Sequence, residues 1–167
     1  MPEELEFIKA DKSRIDIALD LLKEAALWLG EKKIDYWQEW INPSERSRNW
    51  VKQGFDFGQF YFTVLNNEVV GMFSLRMENE LVWGKRANKI GYVHAFTTKR
   101  AYAGKGLGKR ILDKIADECR KKGLDFIRLD CGAEVLRLRK YYEDYGFKFI
   151  REKKVKGYNL AFYELKI

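Results

Sequence analysis

Lys99-Arg100-Ala101-Tyr102-Ala103-Gly104-Lys105-Gly106-Leu107-Gly108-Lys109-Arg110 connects an apolar extended segment, about Ile90 to Thr97, to a helical one. The helix is read from Leu107, Ile111, Leu112, Ile115, Ala116 and Cys119, which fall on one face at three- and four-residue spacing. Three glycines at alternating positions permit tight turning and close approach of a ligand to backbone N–H groups, and the unpaired N–H groups of a helix start form an anion site. A first turn ordinarily carries Asp or Glu, whereas this one carries Lys105, Lys109 and Arg110. Cations at the positive end of a helix dipole are mildly unfavourable unless an anion sits there, so the segment reads as a phosphate cradle. Two common phosphate loops do not fit the spacing. The pattern G-x-x-x-x-G-K-[ST] would put Ala103 at its first glycine and Arg110 at its hydroxyl. In G-x-G-x-x-G the third glycine would come one residue later than Gly108.

The flanking sequence predicts a single mixed sheet with helices on its faces. Leu5 to Lys9 alternates as a strand. Asp11 or Ser13 caps a helix carrying Ile15, Leu19, Leu22, Ala25, Ala26 and Leu29 and ending at Gly30. A less regular, aromatic-rich helical region runs from Lys33 to Gly54 with a break at Asn42-Pro43-Ser44. Phe60 to Leu65 and Glu68 to Leu75 form a hairpin about Asn66-Asn67. Glu78 to Asn88 is a loop before the strand at Ile90. After the glycine loop and its helix come a buried strand (Phe126 to Cys131), a helix (Val135 to Tyr145) and a closing hairpin split by Lys156-Gly157. The order β-α-α-β-β-β-α-β-α-β-β defines an α/β (α+β) chain, mostly antiparallel. No linker divides it, so residues 1–167 are expected to form one domain.

Composition excludes other classes. With 46% hydrophobic and 15% aromatic residues the chain can bury a core, against disorder. No run approaches the ~20 apolar residues of a membrane span, and the acidic start Met1-Pro2-Glu3-Glu4 is unlike an export signal. The expected location is cytoplasmic, with Cys119 and Cys131 as small buried thiols rather than a disulfide or zinc site. The net charge of +7 is concentrated, since Lys99 to Lys122 holds nine basic residues and three acidic ones. Nucleic-acid binding is therefore the weaker alternative, and it would announce itself by a steep dependence on salt.

These residues resemble the GNAT family of N-acetyltransferases over essentially the whole chain. The element order is the family's, and Ala103-Gly104-Lys105-Gly106-Leu107-Gly108 resembles its acetyl-CoA pyrophosphate motif, [RQ]-x-x-G-x-[GA], with Ala103 replacing the usual Arg or Gln. Tyr141-Tyr142-Glu143-Asp144-Tyr145-Gly146-Phe147 resembles the second signature, L-Y-E-x-x-G-F. Val135 stands where the family often has an Asn. Gly91-Tyr92-Val93-His94-Ala95-Phe96 resembles the strand whose backbone holds the pantetheine and acetyl group.

The resemblance implies acetyl-CoA as cosubstrate, no metal, and direct transfer to a primary amine in a ternary complex. An acyl-CoA-binding module without activity is the alternative within the same fold. Cofactor contacts are expected from Phe96, Thr97, Thr98, Ala103, Gly104, Lys105, Gly106, Leu107, Gly108 and Lys109. Tyr142 takes the position of the general acid that protonates the departing thiolate, for which a phenol of pKa about 10 is suited. A backbone N–H near Phe96 would serve the oxyanion. His94, the chain's one histidine, is a candidate base and acceptor contact. Tyr92, His94 and Phe96 would share a face by the two-residue period. Trp28, Trp37 and Gln38 fall where the family's first helices border the acceptor, and Glu78 and Glu80 could receive a cationic one. The expected partner is a small-molecule or peptide amine, with no nucleic acid or membrane, and the protein a monomer or homodimer.

Overall fold

The computed structural model describes residues 3–77 and 89–167. Among the described residues seven strands form one sheet in the order β1-β2-β3-β4-β5-β7-β6. They are β1 (Leu5–Lys9), β2 (Phe60–Leu65), β3 (Glu68–Arg76), β4 (Ile90–Thr98), β5 (Phe126–Gly132), β6 (Lys148–Val155) and β7 (Tyr158–Lys166). Among the described residues four helices accompany them, α1 (Ile15–Glu31), α2 (Glu45–Asp56), α3 (Leu107–Lys121) and α4 (Leu136–Tyr145). The β4–β5 pairing is parallel and the other described pairings are antiparallel. The Glu78 to Asn88 loop, with Glu78 and Glu80, lies outside the described residues.

The chain divides into two compact units, residues 1–75 with 95–111, and residues 76–94 with 112–167. In the first, Asp11 caps a short 3-10 turn by accepting the Ser13 N–H at 2.9 Å, and α1 follows. Ala18, Leu21, Leu22, Ala26 and Leu29 are its buried stripe. The helix does not stop at Gly30. It runs one residue further, and the left-handed position is taken by Lys33, with φ of 59°. The Asn42-Pro43-Ser44 break is found where the sequence puts it, because the Ser44 hydroxyl accepts the Ser47 N–H and opens α2. Trp40, Trp50, Phe55, Phe60 and Phe62 then interlock at ring separations of 5.1–6.3 Å. Each such pair contributes about 0.5–1.5 kcal/mol beyond its area. Asn66 and Asn67 both have positive φ, the type I′ geometry of a two-residue hairpin. At Gly71 a Cβ would lie 2.4 Å from the Thr97 carbonyl oxygen, so only glycine lets β3 approach that strand so closely.

In the second unit, β7 inserts between β5 and β6, pairing with both. Lys156 and Gly157 turn the closing hairpin with φ of 50° and 87°. Cys131 and Cys119 are both buried, and burial pushes their thiols up to about 12 and about 11 respectively. β6 forms one edge of the sheet, and its charged residues Lys148, Arg151, Glu152, Lys153 and Lys154 discourage addition of a further strand.

Candidate active site

The glycine loop belongs to the first unit. Its entry is anchored by the Lys99 N–H on the Val70 carbonyl at 2.8 Å and by the Lys99 ammonium on Glu68 at 2.9 Å. Arg100 donates its backbone N–H to Glu24 and lays its guanidinium 3.9 Å over Trp28. A 3-10 turn at Arg100–Tyr102, not expected from sequence, precedes the glycines. Gly104 and Gly106 have φ of 73° and 76°, and a Cβ at either would meet nothing within 4 Å. Among the described turn and loop bonds, none uses the N–H of Gly104, Gly106, Leu107 or Gly108. Adjacent exposed N–H groups at a helix start, facing open space, are what an anion-binding cradle requires. The charge argument from sequence needs one correction, because Arg110 has a partner of its own and donates to the Glu3 carbonyl at 2.7 Å.

β4 is not a regular strand. Ala95 has φ of 49°, a left-handed conformation uncommon for a residue with a Cβ. The β4–β5 ladder ends nearby, at Tyr92↔Arg128. No feature of an Ala in an apolar strand announces that positive φ in the sequence.

Of the proposed acceptor contacts, Trp28 is covered by Arg100, Trp37 sits at φ of 61° stacked against Tyr36 at 5.7 Å, and Gln38 donates its amide to the Ala26 and Tyr36 carbonyls. These contacts tie all three to the framework of α1 and the turn after it.

The second unit holds the titratable groups. Tyr142 is 5% exposed, packed against Tyr141, Phe147 and Tyr163 at 5.6–6.3 Å. Burial holds its phenol well above 10, with smaller contributions from Cys131, Tyr141 and Asp130. No described residue hydrogen-bonds its hydroxyl. Other parts of its motif are structural. Glu143 accepts from the Tyr163 hydroxyl at 2.8 Å, Arg139 donates to the same hydroxyl and to Glu152, and Gly146 ends α4 at φ of 124°.

His94 is half-buried, and desolvation, then the Arg76 guanidinium, bring its pKa down to about 4. It is neutral at pH 7 and too weak a base to give the rising limb at 6 to 7 that an unperturbed imidazole would. The unfolded chain takes up this proton first, so His94 lowers stability as pH falls from about 6.5 towards about 4. His94→Gln is expected to remove that loss, read as a smaller drop in the urea midpoint between pH 7.5 and 4.5, and to leave any kinetic limb above pH 5 in place.

Asp130 escaped the sequence reading, although Arg128 and Asp130 alternate with Ile127, Leu129 and Cys131 along β5. Its Oδ2 is buried with no hydrogen-bond partner, and desolvation raises the carboxyl to about 6. Because the folded value exceeds the ordinary 3.8, stability is lost as pH rises through that window and the cost is complete above it. Asp130→Asn is expected to raise stability by about 3 kcal/mol at pH 8 and by little below pH 4, measured by urea unfolding.

Among the described residues the chain combines a seven-stranded mixed sheet containing one parallel pair with a glycine loop that opens a helix. The sequence profile of the acetyltransferase (GNAT) family matches residues 31–147, and the chain belongs to that family. Among solved structures it is similar to a GNAT family acetyltransferase from Listeria monocytogenes (22% identity, covering 98% of this chain and 95% of the other, TM-score 0.76). It is also similar to one from Streptococcus agalactiae (15%, 98% and 95%, TM-score 0.81). A third is RimL, a ribosomal L7/L12 alpha-N-protein acetyltransferase in complex with coenzyme A (17%, 98% and 94%, TM-score 0.70). No protein of curated function matches the chain by sequence. No helix among the described residues is long and apolar enough to cross a membrane.

Proposed function

We propose that the chain is one acetyltransferase domain over residues 1–167 that moves the acetyl group of acetyl-CoA to a primary amine by direct attack. The observation that carries the reading is the set of uncommitted N–H groups at Gly104, Gly106, Leu107 and Gly108 beside open space, which fits a pyrophosphate. Ala103 to Lys109 would hold that group, and the backbone of Phe96, Thr97 and Thr98 the pantetheine. When bound, acetyl-CoA supplies an activated thioester. Tyr142, kept protonated by burial, then donates a proton to the leaving sulfur. His94, uncharged at neutral pH, accepts a hydrogen bond from the amine and orients it, while another group takes the amine's proton. Trp28, Trp37 and Gln38 remain the candidates for the acceptor wall. RimL, which acts on a protein α-amine, is a fold relative consistent with an amine acceptor.

The test is a screen of small-molecule and peptide amines with acetyl-CoA, reading released thiol. Release that depends on the amine supports the proposal. Acetyl-CoA binding without turnover on any amine would favour a binding module.

A further inference from the structure

Gly104 and Gly106 give the cradle little backbone restraint of its own, since φ of 73° and 76° is one choice among many for glycine. A pyrophosphate is gripped only while the loop N–H groups converge. Contacts from outside the loop must hold that shape, or affinity is lost to ordering. In the first unit both ends of the loop are tied to the same place, the tip of the β2–β3 hairpin.

At the entry, the two carboxylate oxygens of Glu68 are divided between residues that lead into the glycines. Oε1 accepts from the Lys99 ammonium at 2.9 Å and Oε2 from the Tyr102 hydroxyl at 3.4 Å. Two residues along β3, the Val70 carbonyl accepts the Lys99 N–H at 2.8 Å. The Tyr102 ring in turn lies 5.8 Å from the Lys105 ammonium, so the chain of contacts reaches the residue between the two glycines. At the exit, Arg110 bonds the Gly106 carbonyl through its N–H at 3.2 Å and donates Nη2 to the Glu3 carbonyl at 2.7 Å. Asn66, in the hairpin turn, donates to the Glu3 carboxylate at 3.0 Å.

This network adds little to folding, because the Lys99 and Glu68 side chains are 35% and 56% exposed and such pairs are weak in water. Glu68 is also an anion placed near a site for an anion, where its charge alone opposes the ligand. The Lys99 contact holds the Glu68 carboxyl below its usual range, so the tie persists at neutral pH.

We propose that Glu68 is a positioning residue for acetyl-CoA, setting the entry of the pyrophosphate loop through Lys99 and Tyr102 while Asn66 and Arg110 fix its exit through Glu3. The proposal rests on the reading of the loop as the acetyl-CoA cradle.

The sign of one substitution separates positioning from plain charge. Glu68→Ala removes a negative charge and releases Lys99, so electrostatics alone would tighten acetyl-CoA binding, whereas loss of the tie weakens it. Calorimetry should show affinity about three- to tenfold lower in Glu68→Ala, the worth of one ordinary hydrogen bond. With whichever amine the parent turns over, KM for acetyl-CoA should rise by the same factor with kcat kept. The thermal midpoint of the unliganded variant should stay close to the parent's. Tyr102→Phe deletes one of the two contacts and should lose less, and combined with Glu68→Ala it should lose no more than Glu68→Ala alone. Asn66→Ala, which changes no charge, should also weaken binding. Affinity equal to or tighter than the parent's in Glu68→Ala, or weaker only in step with a fall in thermal midpoint, overturns the assignment.

Trypsin supplies a readout that needs no cofactor. In the unliganded protein, cutting after Lys105 should be several-fold faster in Glu68→Ala than in the parent, and equal cutting overturns the positioning role. A parent that binds no acetyl-CoA overturns the acetyltransferase reading instead, and the trypsin comparison then decides by itself whether the hairpin holds the loop.

Discussion

Gly106→Val should abolish acetyl-CoA binding in calorimetry while leaving a folded protein. The loop N–H groups are the cradle, and a branched side chain at Gly106 would fill the space above them, where nothing of the protein now lies within 4 Å. Two lost hydrogen bonds to a charged group, at about 1.5–3 kcal/mol each, correspond to roughly 10²- to 10⁴-fold in affinity. The substitution also carries a backbone cost of about 1–2 kcal/mol, since φ is 76° there. Gly123 gives the control. It has φ of 74° and equally open surroundings, but it follows the far end of α3. Gly123→Val should therefore show the same loss of stability with unchanged binding. If both variants bind like the parent, the pyrophosphate is held elsewhere.

Tyr142→Phe should lower kcat by about 10²- to 10⁴-fold, the usual worth of a positioned general acid, with affinity for acetyl-CoA nearly unchanged. The ring contacts with Tyr141, Phe147 and Tyr163 survive the change. Because no described residue bonds the hydroxyl, its removal should alter stability by less than about 1 kcal/mol. The raised phenol also sets the pH behaviour, since a donor held well above 10 stays protonated and puts no falling limb below that pH. Turnover equal to the parent on a competent amine would make Tyr142 a packing residue and move the donor role to water.

The two remaining ionisable groups oppose each other. Between pH 4 and 6.5, His94 makes the protein more stable as pH rises and Asp130 makes it less so. Asp130 offsets part of the fall that His94 causes, so Asp130→Asn should steepen the parent's loss of stability with falling pH and His94→Gln should lessen it.

Element type, order and the anion cradle were legible in the sequence because each depends on local chemistry. Apolar spacing of 3.6 or 2 residues selects helix or strand, Asn66-Asn67 fits a two-residue hairpin, Ser44 caps α2, and glycines with misplaced cations mark an anion-binding helix start. The L-Y-E-x-x-G-F-like run was legible for the same reason, and the structure adds that its Glu143 and Gly146 serve the fold. What the tertiary structure decided depends on partners distant in the chain. Ala95 is an unremarkable strand residue in the sequence, and its positive φ is visible only in the folded chain. The placement of β7 between β5 and β6 is a choice of neighbour that a hairpin pattern does not contain. The ionisation of His94 and Asp130 follows from burial beside Arg76 and opposite Phe162, residues 18 and 32 positions away in the sequence. Periodicity records which face a side chain takes, but its protonation is set by the dielectric and charges that only folding assembles around it.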